Sequence, residues 1–223
     1  LDLAGYTNAG KSALFNALTG SDVAVSSQVF ATLDASTRVL RLDRHHRILL
    51  TDTIGFIRNL PPQLVASFRA TLGEIREADL ILHVVDASVD DVGERIDVVN
   101  ETLNAIGAGN AQRLLVFNKI DLVFDTARLE RFNRDYSGSI FVSALTGTGL
   151  DALRKRVADF AGERLITAEL FVPKHRPDIE SLIRSSARVI AVSESDGLFR
   201  FQLIGEPAVL GRLRKQVVAA VRE

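Results

Sequence analysis

The stretch Gly5-Tyr6-Thr7-Asn8-Ala9-Gly10-Lys11-Ser12 decides the fold. It has the form G-x-x-x-x-G-K-S, a pattern that cradles phosphates. Leu1 to Ala4 are mostly apolar and read as the end of a buried strand, and Ala13 to Leu18 read as the first turns of a helix. A loop between strand and helix is the context the pattern needs. Its chemistry follows from the backbone. Gly5 and Gly10 permit turns that a side chain would obstruct. Successive N–H groups from Gly5 to Ala13 can then form an anion-binding nest, and the helix N-terminus adds the positive end of its dipole. Lys11 is expected to reach β- and γ-phosphates, and Ser12 to offer a hydroxyl to Mg²⁺.

The base-selecting element lies far downstream. Gln112 to Phe117 read as a strand that delivers Asn118-Lys119-Ile120-Asp121 to the carboxyl edge of a sheet. Asp121 can accept hydrogen bonds from guanine N1–H and N2–H₂. Adenine has no donor at either position and would leave the carboxylate unpaired, a large penalty. Asn118 can donate toward N7, and the Lys119 stem can cover the ring face. A further strand, Ser139 to Val142, ends in Ser143-Ala144-Leu145, whose backbone amides are expected to meet guanine O6. The nucleotide is thus expected to be GTP or GDP.

Two segments between these elements read as nucleotide switches. Residues 21–36 are small and polar and contain Phe30-Ala31-Thr32-Leu33-Asp34. A hydroxyl and an amide are needed here to meet Mg²⁺ and the γ-phosphate. Thr32, with Phe30 beside it, is the expected residue; Thr37, at the start of the next strand, is the alternative. Arg38–Leu42 and Arg47–Thr51 read as a hairpin around Asp43-Arg44-His45-His46. The return strand ends in Asp52-Thr53-Ile54-Gly55, where Asp52 would hold Mg²⁺ through water and the Gly55 N–H would approach the γ-phosphate. Phe56 follows, where many small GTPases carry a Gln that orients the attacking water. Phenylalanine cannot do that, so hydrolysis is expected to be slow or completed by another group, an ion or a partner. Phe56 is read equally as a core aromatic or a residue facing the nucleotide. Pro61-Pro62 interrupt structure, and Leu64 to Arg76 has helical apolar spacing.

The remaining pattern is α/β. Ala78 to Asp86 is a near-continuous apolar run, as for a central parallel strand, with His83 read as a packed core residue. Helices are expected over Asp91–Ile106, Arg128–Tyr136 and Leu150–Phe160. The fold expected is a P-loop NTPase: a mostly parallel sheet with one antiparallel strand and helices on both faces, over residues 1–162. Residues 163–223 read as a small α+β domain of βαββα order, with a hairpin turn at Glu194-Ser195-Asp196-Gly197. From Pro173 to Glu223 there are nine Lys or Arg and six Asp or Glu, a slight excess that permits RNA contact without arguing for it.

Composition excludes several classes. The net charge of −1 makes the whole chain no polyanion binder by bulk electrostatics, although a local basic face remains open. With no cysteine there are no disulfides or thiolate metal sites. No apolar run approaches the ~18 residues of a membrane helix, and no secretory leader is read, so a cytoplasmic monomer is expected. The chain lacks methionine and starts inside a strand, which reads as a piece whose N-terminal part is missing.

Gly5 to Gly20 (GYTNAGKSALFNALTG), Phe30 to Asp34 (FATLD) and Asp52 to Leu72 (DTIGFIRNLPPQLVASFRATL) resemble the HflX GTPases, and the match covers roughly residues 1–145. The resemblance implies GTP binding and hydrolysis, association with the large ribosomal subunit and its RNA, and a role in splitting or rescuing stalled ribosomes under stress. Asn8 matches an Asn that, in related GTPases lacking the Gln, helps bind potassium. The expected catalytic set is therefore Lys11, Thr32, Gly55 and Asn8, with Mg²⁺ on Ser12, Thr32 and Asp52 and K⁺ as a second cofactor; an Asn8 that merely shapes the loop is the alternative. The other functional readings are a nucleotide-dependent binding module with slow timer hydrolysis, and a GTPase of tRNA modification or ribosome assembly.

Overall fold

The computed structural model describes residues 1–22, 36–42, 47–53, 55–56, 75–163, 165–195 and 197–222. Its contacts divide the chain into two compact units, one comprising Leu1–Leu42 and Arg47–Lys155 and the other including Arg156–Glu223.

The first unit is built on a six-stranded sheet in the order β2-β3-β1-β4-β5-β6. The strands are β1 (Asp2–Gly5), β2 (Ser36–Arg41), β3 (Arg47–Asp52), β4 (Ile81–Asp86), β5 (Arg113–Asn118) and β6 (Ile140–Phe141). All pairs are parallel except β2 with β3. This is the mostly parallel sheet with one antiparallel strand that the sequence pattern predicts. Every residue of β4 is buried, which explains its unbroken apolar run. Helix α1 (Lys11–Thr19) follows β1 directly and ends at Gly20, whose left-handed φ of 69° closes the helix. Helix α2 (Val92–Ala105) buries Val92, Ile96, Val99 and Leu103, a stripe with helical spacing. Ala4, Ile81, Val99, Leu103 and Phe56 meet in one core cluster.

Aromatic packing fixes the carboxyl end of β5. Phe117 on β5 stacks on Phe132 at 4.9 Å and on Phe141 at 5.1 Å between centroids. Phe132 belongs to helix α3 (Thr126–Asp135), which is capped by the Asp125 carboxylate accepting from the Ala127 amide at 3.0 Å. The rings clamp α3 and β6 onto β5, so the loop at Asn118 leaves the sheet from a rigid base. Helix α4 (Leu150–Glu163) follows β6.

The second unit, taken by itself, holds a three-stranded antiparallel sheet in the order β7-β9-β8. Its elements run β7 (Ile166–Pro173), α5 (Pro177–Ser186), β8 (Arg188–Ser195), β9 (Leu198–Gly205) and α6 (Pro207–Arg222). Leu170, Val172, Phe201 and Leu203 alternate inward and pack with Ile179, Ile183, Leu210, Leu213 and Val217 from the two helices.

His83 sits in the middle of β4, only 3% exposed, and its Nε2 has no hydrogen-bond partner among the described residues. Burial lowers its pKa to about 4, with the charges of Arg113 and Lys11 adding to the effect. The folded pKa lies below the ordinary value, so no cost exists above about pH 6.5. The cost grows as pH falls toward 4, where the unfolded chain binds a proton that the folded chain refuses. At 1.36 kcal/mol per unit, the full loss is about 3 kcal/mol. His83→Phe is expected to remove that share of the acid-side loss. Urea unfolding of both proteins from pH 7 to 4 checks it; a constant gap between the two across this range counts against the buried imidazole as the cause.

Candidate functional site

The phosphate loop has the backbone that its sequence demands, with one change of reason. Gly10 has φ 90° and Asn8 has φ 61°, both left-handed. A Cβ on Gly10 would stand 2.4 Å from Asn118 Nδ2, so the glycine serves both the turn and a close neighbour. Gly5, in contrast, has no positive φ. It is needed because a Cβ there would lie 2.2 Å from the Val84 carbonyl oxygen of the adjacent strand. The turn argument therefore holds for Gly10, and close strand packing explains Gly5. At the start of α1, the amides of Lys11, Ser12 and Ala13 fall in the first helical turn, where N–H groups lack partners within the helix.

Lys11 is 6% exposed. Its Nζ donates to the carbonyls of Gly5 at 3.2 Å and Tyr6 at 3.3 Å. Burial pulls its pKa down to about 8, only partly offset by the Asp52 carboxylate. A desolvated cation in a loop of left-handed residues is a site for an anion. Ser12 Oγ donates to Asp52 Oδ2 at 2.6 Å, and Asp52 is fully buried. The structure thus brings two of the expected Mg²⁺ ligands together, a hydroxyl and a carboxylate of the hard-oxygen type that Mg²⁺ prefers.

Gly55 lies against Lys11 and Thr7. A Cβ on it would be 2.9 Å from Lys11 Nζ and 2.9 Å from Thr7 Cα, so only glycine lets this backbone reach the loop. The next residue settles a choice left open by the sequence. Phe56 is 2% exposed and packs in the core with Ile75, Ile81, Val99 and Leu103. Its amide donates to Gly5 O at 3.0 Å, and its carbonyl accepts from the Thr7 amide at 2.7 Å. The ring therefore points inward, and the backbone zips the start of the second switch onto the phosphate loop. The Thr7 N–H is committed to this bridge.

The loop after β5 is joined to the Gly5–Ser12 loop by side chains. Asn118 Nδ2 donates to Ala9 O at 3.0 Å, and its Oδ1 accepts from the Ala144 amide at 3.0 Å. Asn118, 1% exposed, thus fastens the loops after β1 and β6 to the end of β5. Lys119 has φ 63°, and its Nζ reaches both Asn8 O and Asp86 Oδ2 at 2.7 Å. Burial alone would raise the Asp86 pKa, but hydrogen bonds from Lys119 and Ser88 outweigh it and hold the carboxyl below its ordinary value. Asp121 has a buried Oδ1 with no hydrogen-bond partner among the described residues. The Ser143 amide is taken by Thr148 O at 2.9 Å and the Ala144 amide by Asn118. Of the Ser143-Ala144-Leu145 amides expected at O6, that of Leu145 has no such bond among the described residues.

Phe30 and Thr32 lie outside the described residues. Thr37 is described, and its hydroxyl is within 3.2 Å of that of Thr51 on the neighbouring strand. Two contributors escape sequence reading. Asp86 closes an apolar strand just as Asp52 does, and that shared signal could have found it. Thr53 ties the same region down through Oγ1 to Leu3 O at 2.6 Å; no local pattern marks it. Among the described residues, no three His, Cys, Asp or Glu cluster as a metal site, and no helix is long and apolar enough to cross a membrane.

Comparison with known proteins decides the family. The family model described as 50S ribosome-binding GTPase matches residues 2–119. The chain belongs to this GTPase family. Within it, the likeness is to HflX GTPases. The GTPase HflX of Magnetococcus marinus is 40% identical over 215 residues, covering 96% of this chain and 50% of that protein. That of Escherichia coli is 46% identical over 154 residues, 69% of this chain and 36% of the relative. The chain therefore spans about half or less of these relatives' length. Among solved structures, a GTP-binding protein from the archaeon Sulfolobus solfataricus in complex with GDP has TM-score 0.57 and 31% identity, over 73% of this GTPase-family chain and 52% of that one. Aquifex aeolicus Era bound to GDP and aluminium fluoride has TM-score 0.60 over 71% of this chain and 55% of that one, and at 24% identity it shows the fold alone.

Proposed function

We propose that this chain is a cytoplasmic, Mg²⁺-dependent GTPase that hydrolyses GTP to GDP and phosphate and docks, as a monomer, on the RNA of the large ribosomal subunit in splitting or rescuing stalled ribosomes. The observation that carries the reading is the convergence at one sheet edge of Lys11, the Ser12–Asp52 pair and the Asn118–Ala9–Ala144 staple, beside Asp121 with its buried, unengaged Oδ1. The ribosomal part is supported by the description of the matched family and by the HflX relatives. We assign the nucleotide to a G domain of residues 1–162, followed by a small C-terminal domain of residues 163–223.

In this reading the amides from Gly5 to Ala13 that remain open surround the phosphates. Lys11 gives up its carbonyl contacts to the β- and γ-phosphates. Ser12, Asp52 and Thr32 would hold Mg²⁺, which would neutralise charge on the phosphate oxygens. The Gly55 N–H meets the γ-phosphate, and a water attacks the γ-phosphorus as its bond to the β–γ bridging oxygen breaks; GDP leaves with that oxygen, and the water's proton ends on the released phosphate. Asp121 takes the guanine N1–H and N2–H₂. Because Phe56 packs inward, it orients no water, so turnover is slow without help. Asn8 would supply a ligand to K⁺ beside the phosphates, where the added charge would stabilise the transition state.

Hydrolysis measured in potassium and in sodium buffer, with and without large ribosomal subunits, tests the reading. Slow turnover, faster in potassium and faster again with subunits, is expected. Equal rates in the two salts remove the cation role of Asn8, which then only shapes the loop with its left-handed backbone. Absence of GTP binding overturns the whole reading; unstimulated hydrolysis overturns its ribosomal part.

A further inference from the structure

The hairpin of β2 and β3 carries a charge arrangement that the nucleotide site does not use. β2 is the edge strand of the sheet, and in its register Arg41 stands directly opposite Arg47. Both are exposed. Directly opposed like charges on adjacent strands destabilise a sheet. Neither arginine has a carboxylate partner among the described residues, whereas arginines elsewhere, such as Arg95 with Asp91 at 2.8 Å, do. On the same face the next pair inward is Val39 with Leu49, 49% and 60% exposed. Arg38 is also exposed on β2. From Arg38 to Arg47 the sequence holds four arginines against one carboxylate, so the hairpin cannot neutralise itself although the whole chain is near neutral.

From this we infer that the outer face of the β2–β3 hairpin, centred on the Arg41–Arg47 pair, is a docking surface for the phosphate backbone of RNA. The inference rests on the ribosomal reading for the choice of RNA, and adds the surface that meets it. A guanidinium is a planar fork that matches phosphate oxygens two at a time, so two such forks side by side suit a backbone better than a single small anion. Each phosphate contact releases counterions and leaves its mark in the salt dependence of binding. The surface lies on a β-hairpin outside the nucleotide loops, so its variants leave basal hydrolysis unchanged.

The test is binding of a labelled synthetic RNA duplex to the 223-residue chain across a salt series, with thermal melting and basal GTP hydrolysis as controls. Arg47→Gln is expected to lower the slope of log affinity against log salt by about 1. Arg47→Glu is expected to weaken binding by roughly tenfold while raising the melting temperature, since it turns a repulsive cross-strand pair into an attractive one. Stability rising as RNA affinity falls is a result that a purely structural role does not produce. Unchanged RNA affinity in both variants, or no RNA binding by the parent chain, overturns the inference and leaves the arginines as guards against edge-strand pairing. Arginine-dependent binding to phosphatidylserine vesicles without RNA binding likewise overturns it in favour of a membrane. Binding of the same proteins to large subunits is measured alongside: a parent chain that binds the duplex but not subunits overturns the ribosomal reading instead.

Discussion

Lys11→Met is expected to stabilise the nucleotide-free protein while abolishing its response to nucleotide. Lys11 is buried at 6% exposure, and its pKa of about 8 lies below the ordinary 10.5 chiefly because of desolvation. A folded pKa below the unfolded one means that below pH 8 the folded chain bears the full cost of the buried charge. That cost is released as pH rises from 8 toward 10.5, so stability increases with pH in this window. At 1.36 kcal/mol per unit, the cost near pH 7 is about 3 kcal/mol. Methionine fills similar volume without the charge. The gain is bounded by that figure, since the carbonyls of Gly5 and Tyr6 lose a donor. A chain of this size shifts by ~2–4 °C per kcal/mol, so a rise of up to roughly 10 °C is expected. The parent protein should gain further stability from GDP with Mg²⁺ by mass action, and the variant should not. Thermal melting with and without nucleotide reads both effects. A variant that melts lower than the parent would mean that Lys11 supports the empty loop instead of straining it.

Asp121→Asn is expected to exchange guanine for xanthine. The buried Oδ1 of Asp121 has no partner among the described residues, and the neighbouring loop is held rigidly by Asn118 and by the Phe117 aromatic cluster. If Asp121 reads the base as proposed, its carboxylate accepts two donors from guanine, N1–H and N2–H₂. Asparagine keeps one acceptor and turns its amide donor toward the guanine 2-amino group, donor against donor. Losing a buried charged partner costs about 2–5 kcal/mol, or ~30-fold to several thousand-fold in GTP affinity at 1.4 kcal/mol per tenfold. Xanthine carries a carbonyl in place of the 2-amino group and should recover most of the loss. Titration of parent and variant with GTP, XTP and ATP decides it. Weak binding of all three by the variant would point to collapse of the loop; unchanged GTP affinity would remove Asp121 from the base site.

Much of this site was legible beforehand because its signals are short-range. The eight residues from Gly5 to Ser12 announce strand, turn and helix within one stretch, and β4 shows its central place by having no polar alternation. The inward direction of Phe56 was not legible. Its side chain is apolar in either environment, and what turns it inward is the backbone bridge to Gly5 and Thr7, which depends on where β3 ends beside β1. Asn118 was readable as a donor toward a base but its stapling contacts were not, because Ala9 and Ala144 come to it from the loops that follow β1 and β6. Gly5 looked like a turn residue, and only the approach of Val84 gives its true reason. Phe30 and Thr32 lie outside the described residues.

The amino-acid sequence by itself determined the order of elements among the described residues and the parallel sheet with one antiparallel strand. Periodicity and turn residues act over a few positions, so a linear reading captures them. The tertiary structure alone decided which groups are already engaged: Lys11 on two carbonyls, Ser12 on Asp52, Lys119 between Asn8 and Asp86, and Arg41 facing Arg47. These pairings follow from the strand order and register, which bring distant segments side by side. Hydrogen bonds and desolvation depend on that proximity, and no local pattern encodes it.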